Sequence, residues 1–229
     1  MSLMLKHQRK HRAAEKTEQA AGADVARIGT VSAGKIGEQQ LRTLLDNALA
    51  EDLKSLSEIK SMERRADVKR EQLIPKYKPY VDRLRAGGKN HDLLGYFIVW
   101  LFDTGDIEGG LDLGEYMASV DAGLPERFNR DLPTFMADGV LAWSEAEYDA
   151  GRSPEPYFST AFAHVDTAGE DNWDLPDALR AKYFRLRGLL DERLENIDDA
   201  IANLERAMAL GAKVKTKINE LAKLQAKSE

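Results

Sequence analysis

Leu41, Leu45, Leu49, Leu53, Leu56, Ile59 and Met62 recur every three or four positions along a stretch, residues 41–74, that holds neither glycine nor proline. That period places them on one face of an α-helix. The run predicts a single long amphipathic helix reaching about 50 Å at roughly 1.5 Å per residue. A small domain does not cover such a length, so the apolar stripe calls for a second helix. Two sources are open: a neighbouring copy of the chain, with Leu41, Leu45, Leu49, Leu53, Leu56 and Ile59 as oligomerisation residues, or a hairpin within the chain. Pro75 and Pro79 are expected to break the helix around Lys76-Tyr77-Lys78, because neither can donate to a helical ladder.

Downstream, a short helix is expected to reach Arg85 before Gly87-Gly88. The stretch from Asp92 to Phe102 is apolar on every face and reads as a buried helix, stopped at Gly105 and followed by a second helix from Ile107 to Val120. Residues 131–150 read as another helix, capped by Asp131 with Pro133 in its first turn. Gly151 ends it. Pro154 and Pro156 open a segment with Tyr157, Phe158, Phe162 and Val165 in register, and Pro176 starts the next, with Leu179, Tyr183, Leu186 and Leu190 inward. The last helix begins near Lys213 and carries Val214, Ile218, Leu221 and Leu224. No stretch shows sustained period-two alternation. The fold class is all-α.

One segment is echoed. Gly105-Asp106-Ile107-Glu108-Gly109-Gly110-Leu111 aligns with Glu195-Asn196-Ile197-Asp198-Asp199-Ala200-Ile201. Both have the small-residue and aliphatic spacing of tetratricopeptide-type helix pairs. In the second copy Gly188, Ala200, Leu204 and Ala207 stand where two antiparallel helices come close.

The charge pattern adds an asymmetry that the net value of −6 conceals. Residues 1–20 carry roughly +3, residues 54–89 roughly +6, and residues 90–180 roughly −15. A middle this acidic does not lie along a phosphate backbone, so any nucleic-acid contact belongs to the first 90 residues. Four segments follow: a mobile basic arm over 1–38, the long association helix with its proline-broken connector over 39–89, an acidic helical domain over 90–211, and an amphipathic helix over 212–229. The chain has no cysteine, which removes disulfide and thiolate chemistry and agrees with a reducing compartment. The longest apolar run, Leu93 to Phe102, is about half of the roughly 20 residues a membrane span needs. No apolar h-region follows the basic N-terminus. The expectation is a cytosolic protein without a membrane partner.

Candidate chemistry is sparse. Lys6, Arg9, Lys10, Arg12 and Lys16 on the arm, and Arg64, Arg65, Lys69 and Arg70 on the long helix, are the candidate DNA-binding residues, the second group continuing to Lys76 and Lys78. With few aromatics interleaved, phosphate contact is expected rather than base stacking. His7 and His11 are spaced for one helix face but lie among cations that oppose a metal. Asp103-Thr104-Gly105 spells an aspartic-protease tripeptide in a helical setting that does not suit it. Asp103, Asp106, Glu108 and Asp112 cluster at a helix start, where the helix dipole favours anions in any case. No Walker loop, zinc cluster or nuclease motif is present. No catalytic residue, metal ligand or cofactor is nominated.

Trp100-Leu101-Phe102-Asp103-Thr104-Gly105-Asp106-Ile107, preceded by Leu73-Ile74-Pro75-Lys76-Tyr77-Lys78-Pro79-Tyr80-Val81, resembles the small terminase subunit of temperate cos-type tailed phages. Asp177-Ala178-Leu179-Arg180-Ala181-Lys182 and Gly188 fit the same family, and the likeness spans roughly residues 40–210. The resemblance implies a homo-oligomeric ring that binds double-stranded viral DNA at the packaging region. It also implies delivery of that DNA to the large ATP-driven terminase subunit, in the host cytoplasm. The family is described as an endonuclease subunit directing cos cleavage. Two other readings of the residues stay open, a helical-repeat adaptor that binds only protein and a metal-dependent endonuclease in its own right.

Overall fold

A computed structural model describes residues 37–166 and 172–228, and among them every regular element is helical. The basic arm therefore lies outside the described residues. The chain divides into two compact units, one ending at Lys76 and one beginning at Tyr77.

In the first unit the expected single helix is interrupted. Helix α1 runs Glu38–Glu58, and Ile59 leaves the helix with φ −79° and ψ 114°. Helix α2, Met62–Val68, restarts behind Ser61, whose side chain accepts the backbone N–H of Arg64. A serine at this point offers the chain a cap that competes with continuing the ladder, and the Leu41–Ile74 stripe passes through the break without signalling it. Residues Lys69–Leu73 then form a π-helical turn, in which Ile74 donates to the carbonyl of Lys69.

That wide turn explains a second departure from expectation. Helix α3, Ile74–Ala86, contains both Pro75 and Pro79 and is not broken by them. A proline ring in a helix collides with the carbonyl four residues back; for Pro75 that carbonyl is Glu71, inside the π turn, where the widened ladder relieves the crowding, whereas Pro79 is carried by the α-helix without such a turn. The Lys76-Tyr77-Lys78 segment is thus helical. Lys76 reaches Asp52 of α1 at 2.7 Å, tying the two ends of the first unit.

The second unit is built around helix α4, Asp92–Thr104, from which Leu93, Leu94, Phe97, Ile98, Val99, Trp100 and Leu101 are all buried. Burial on every face marks a central helix, each large side chain stabilising the fold by roughly 1.5–3 kcal/mol. Tyr77 of α3 packs on Trp100 at 5.6 Å between ring centroids. Helices α5 (Ile107–Ser119), α6 (Leu132–Asp149) and α7 (Tyr157–Asp166) follow in turn. Asp131 caps α6 by accepting the N–H of Thr134, as its position before Pro133 predicts. Helix α8, Asp177–Arg193, is joined to α7 by a run of rings, Phe158 on Tyr183 at 5.6 Å and Phe162 on Phe184 at 5.4 Å. The buried Tyr183 hydroxyl donates to the carbonyl of Ala137 in α6 at 2.8 Å. Helices α9 (Ile197–Ala209) and α10 (Lys215–Ser228) complete the chain.

The echoed segments fold alike. Gly105 ends α4 at φ 81° and Glu195 follows α8 at φ 63°, both left-handed. In each case the next residue donates five back, Asp106 to Leu101 and Asn196 to Asp191, and stands at the N-cap of the following helix, which the Asp106 side chain closes and the Asn196 side chain does not. The packing differs in a compensating way. A Cβ on Gly188 would stand 2.7 Å from Leu204 Cγ and 2.9 Å from the Ala200 carbonyl, so α8 and α9 touch backbone to backbone. In the α4–α5 pair the bulk is exchanged: Ile98 occupies the place of Gly188, and Gly114 that of Leu204.

Candidate nucleic-acid interface

Of the basic residues singled out in the sequence, Lys6, Arg9, Lys10, Arg12 and Lys16 fall outside the described residues, with His7 and His11. The second group is placed on α2 and the π turn, and its members do different things. Arg64 is exposed one helical turn past the Ser61 cap. Arg65 folds back, its Nε donating to the carbonyl of Ile59 at the helix break. Lys69 is buried. Arg70 is exposed and paired with Asp67 at 3.2 Å. The four are not brought onto one open face. Arg64 and Arg70 present their guanidinium groups outward, while Arg65 holds the break that α2 starts from.

On α3 the cations are also matched. Lys78 pairs with Asp82 at 3.0 Å, one turn along. Arg85 grips Asp112 through two bonds, at 2.6 and 3.0 Å, and its guanidinium lies 5.5 Å over the Tyr116 ring. The hydrogen bond from Arg85 holds the Asp112 carboxyl below the ordinary carboxylate range.

The acidic group at the α5 start is dispersed by the same geometry. Asp106 accepts the N–H of Gly109 as the cap, Glu108 accepts the Tyr157 hydroxyl at 3.1 Å, and Asp112 belongs to Arg85. Among the described residues no three histidine, aspartate or glutamate side chains converge as a metal site. His91 is buried and caps α4, its Nδ1 accepting the N–H of Leu93 at 3.0 Å. His164 stacks face to face on Trp173 at 4.6 Å.

The six candidate oligomerisation residues split into two sets. Leu45, Leu49 and Leu56 are buried within the single chain, whereas Leu41, Leu53 and Ile59 are half-buried. In the same unit Leu44 is 45% exposed and Met62 71% exposed. The period of the stripe found the inward face at Leu45, Leu49 and Leu56, took in the outward Met62 with them, and passed over Leu44.

One feature of the second unit had no counterpart in the sequence reading. A cleft of about 520 Å³ lies among α5, the start of α6 and the end of α7. Its floor is apolar, with Leu111, Ala122, Leu132 and Met136, and Glu115 and Asp121 stand at its edge. The signal for it was faint, a glycine at 114 in the middle of a helix: a Cβ there would meet Met136 Sδ at 2.4 Å.

Residues 47–178 match the family model of the phage small terminase subunit. Over 177 residues the chain is 31% identical to the "Terminase, endonuclease subunit" of Escherichia phage P2, an overlap covering 76% of this chain and 70% of that protein. Over 149 residues it is 32% identical to the "Probable terminase, endonuclease subunit" of Haemophilus phage HP1 (strain HP1c1), covering 64% of this chain and 52% of that protein. The chain thus spans about half the length of the HP1 relative. No solved structure matches it.

Proposed function

Because the chain belongs to the family of phage small terminase subunits, we propose that it binds double-stranded viral DNA at the packaging site and presents it to the large ATPase/nuclease terminase subunit for cos cleavage and genome packaging. The observation that carries this reading is the family match over 47–178, joined to a charge distribution whose two most positive segments lie in the first 90 residues. The DNA contacts are assigned to Lys6, Arg9, Lys10, Arg12 and Lys16, with Arg64 and Arg70 adding exposed charge beyond the arm. Arg65 and Lys69 are left to hold α2 and the π turn.

A single arm supplies weak, sequence-independent affinity, on the order of 10⁻⁴–10⁻⁶ M at physiological salt. A homo-oligomeric ring presenting many arms gains about 10²–10⁴ by multivalency. Association is assigned to the outward side of α1 and the break after it, through Leu41, Leu44, Leu53, Ile59 and Met62. The cutting step is assigned to the large subunit, and the whole cycle to the host cytoplasm. Among the described residues no helix is long and apolar enough to cross a membrane.

The test is a mobility shift of a packaging-site duplex across a salt series, paired with light scattering of the same sample. An assembly that binds, with affinity falling steeply as salt rises, supports the reading. A chain that stays monomeric at micromolar concentration and ignores DNA overturns it, and nicking by the purified chain with magnesium alone would return the cutting to this subunit.

A further inference from the structure

The cleft of the second unit combines two properties that are each ordinary and together select a ligand. Its volume, about 520 Å³, lies in the range of roughly 300–1,000 Å³ that suits a drug-sized molecule or a few side chains. Its floor offers aliphatic and thioether surface, and Gly114 lets the Met136 sulfur rise into contact with the α5 backbone. The stacked pair His164 and Trp173 closes one side with a flat aromatic wall. The carboxylates of Glu115 and Asp121, in the same lining, are exposed, and among the described residues neither makes an ion pair with a cation of the chain.

What sets these two apart is their place in the lining of an apolar cleft. Several acidic side chains of the unit are matched locally, Asp112 by Arg85, Asp138 by Arg130 and Glu147 by Arg152. The cleft edge is left with two uncompensated negative charges in a stretch, residues 90–180, whose net charge is roughly −15. A phosphate backbone is repelled there. An apolar side chain next to a cation gains from the floor and the edge at once.

We propose that this cleft is a docking site for a protein partner, and that its occupant is a basic segment which seats an aliphatic or aromatic side chain on the Leu111–Met136 floor and a lysine or arginine against Glu115 and Asp121. The partner surface is then carried by the acidic unit and uses none of the cationic residues assigned to DNA. The docking chemistry stands on the cleft alone and does not require the DNA reading.

The probe is 4-phenylbutylammonium, which carries an apolar ring and a cation, titrated into the isotope-labelled full chain, with 4-phenylbutyrate as the charge-reversed control. With three tryptophans and four histidines in the chain, the Trp173 indole and His164 ring signals are resolvable by substitution. The ammonium is expected to shift both, and the carboxylate to bind at least about tenfold more weakly. The double variant Glu115→Gln, Asp121→Asn should lower the ammonium's affinity by about the same factor with an unchanged thermal midpoint. Asp121 sits at φ 51°, a conformation asparagine also tolerates, so the variant keeps the backbone. Equal binding of the two probes, a variant that binds as the parent does, or shifts that map away from the cleft would overturn the site.

The occupant is tested separately by a photoreactive benzoylphenylalanine at Ala118, an exposed cleft residue, in phage-producing cells. A cross-linked peptide from another protein that carries lysine or arginine beside an apolar residue supports the proposal. Mapping to nucleic acid, to an acidic peptide or to this chain's own residues overturns it. Because the small-molecule titration involves no DNA, its failure is distinguishable from failure of the packaging role.

Discussion

Replacing Gly188 by alanine tests whether the α8–α9 pair is held by backbone contact. In an open helix the change stabilises, since alanine exceeds glycine by roughly 0.8–1.0 kcal/mol of helix propensity. Here the added methyl would stand 2.7 Å from Leu204 Cγ and 2.9 Å from the carbonyl oxygen of Ala200. The leucine is fully buried and has no free space to turn into. The carbonyl is part of α9 and moves only if the whole helix does. Overpacking of this kind costs about 1–3 kcal/mol, and an obstacle on the backbone places this site in the upper half of that range. Subtracting the propensity gain leaves a net destabilisation of about 1–2 kcal/mol. For a chain of this size that lowers the melting midpoint by roughly 2–8 °C. Urea unfolding followed by far-ultraviolet circular dichroism measures it, with an unchanged m-value expected if only the native state is strained. The reasoning is refuted if Gly188→Ala equals or exceeds the parent in stability, because the helices would then have room that the close approach denies.

Tyr183→Phe removes the buried hydroxyl that donates to Ala137, and should cost about 1 kcal/mol near neutral pH, since the carbonyl keeps its helical partner. Burial also pushes the Tyr183 phenol well above its ordinary value, so in strong alkali the unfolded chain loses a proton that the folded chain keeps. Stability should therefore fall by up to about 1.4 kcal/mol per pH unit above pH ~10, with a shallower fall in Tyr183→Phe; parallel slopes in alkaline urea titrations would contradict this. Deleting residues 1–20 should weaken DNA binding and reduce the slope of log affinity against log salt by up to about 4–5 per chain, five lysine and arginine side chains being lost. An unchanged slope would move the contact off the arm. Leu44→Asp with Met62→Asp should abolish self-association and leave the helical signal intact, whereas Leu49→Asp should unfold the first unit, because Leu49 is already 4% exposed in the single chain. Light scattering and circular dichroism separate the two outcomes, and an assembly that survives the double change would place the interface elsewhere.

The helices of the second unit were legible because their signals are local and mutually consistent. Asp131 before Pro133, Gly105 after the apolar run of α4 and Gly151 after α6 each state a boundary in one or two residues, and the chain obeys all three. The first unit was misread for the converse reason. The apolar period continues from Leu41 to Met62 across a break that Ser61 makes with one side-chain hydrogen bond, and periodicity does not register such an event. Pro75 and Pro79 misled because a proline's effect depends on the ladder around it. The π turn over Lys69–Leu73 accommodates Pro75, Pro79 sits within the α-helix itself, and the turn's sequence, KREQL, has no residue that forces a π geometry.

Charge was legible as a sum and illegible as a surface. The count over residues 54–89 is positive, yet Arg65 is spent on the Ile59 carbonyl, Arg85 on Asp112 and Lys76 on Asp52, so much of that excess is bound inside the fold. The negative sum over residues 90–180 is similarly reduced by cations from outside the stretch, Asp112 meeting Arg85, Glu145 meeting Arg185 and Asp166 meeting Arg206. Among the charges left without an ion pair are Arg64, outward on α2, and Glu115 with Asp121, which line an apolar cleft. Segregated net charge argues for which end of the chain meets nucleic acid, because that interaction is long-ranged and additive over many phosphates. A docking cleft depends instead on two carboxylates having no neighbour of opposite sign, which is a property of packing. The DNA assignment rests on the family and the charge sum, both legible in the sequence, whereas the partner site required the packing that forms the cleft.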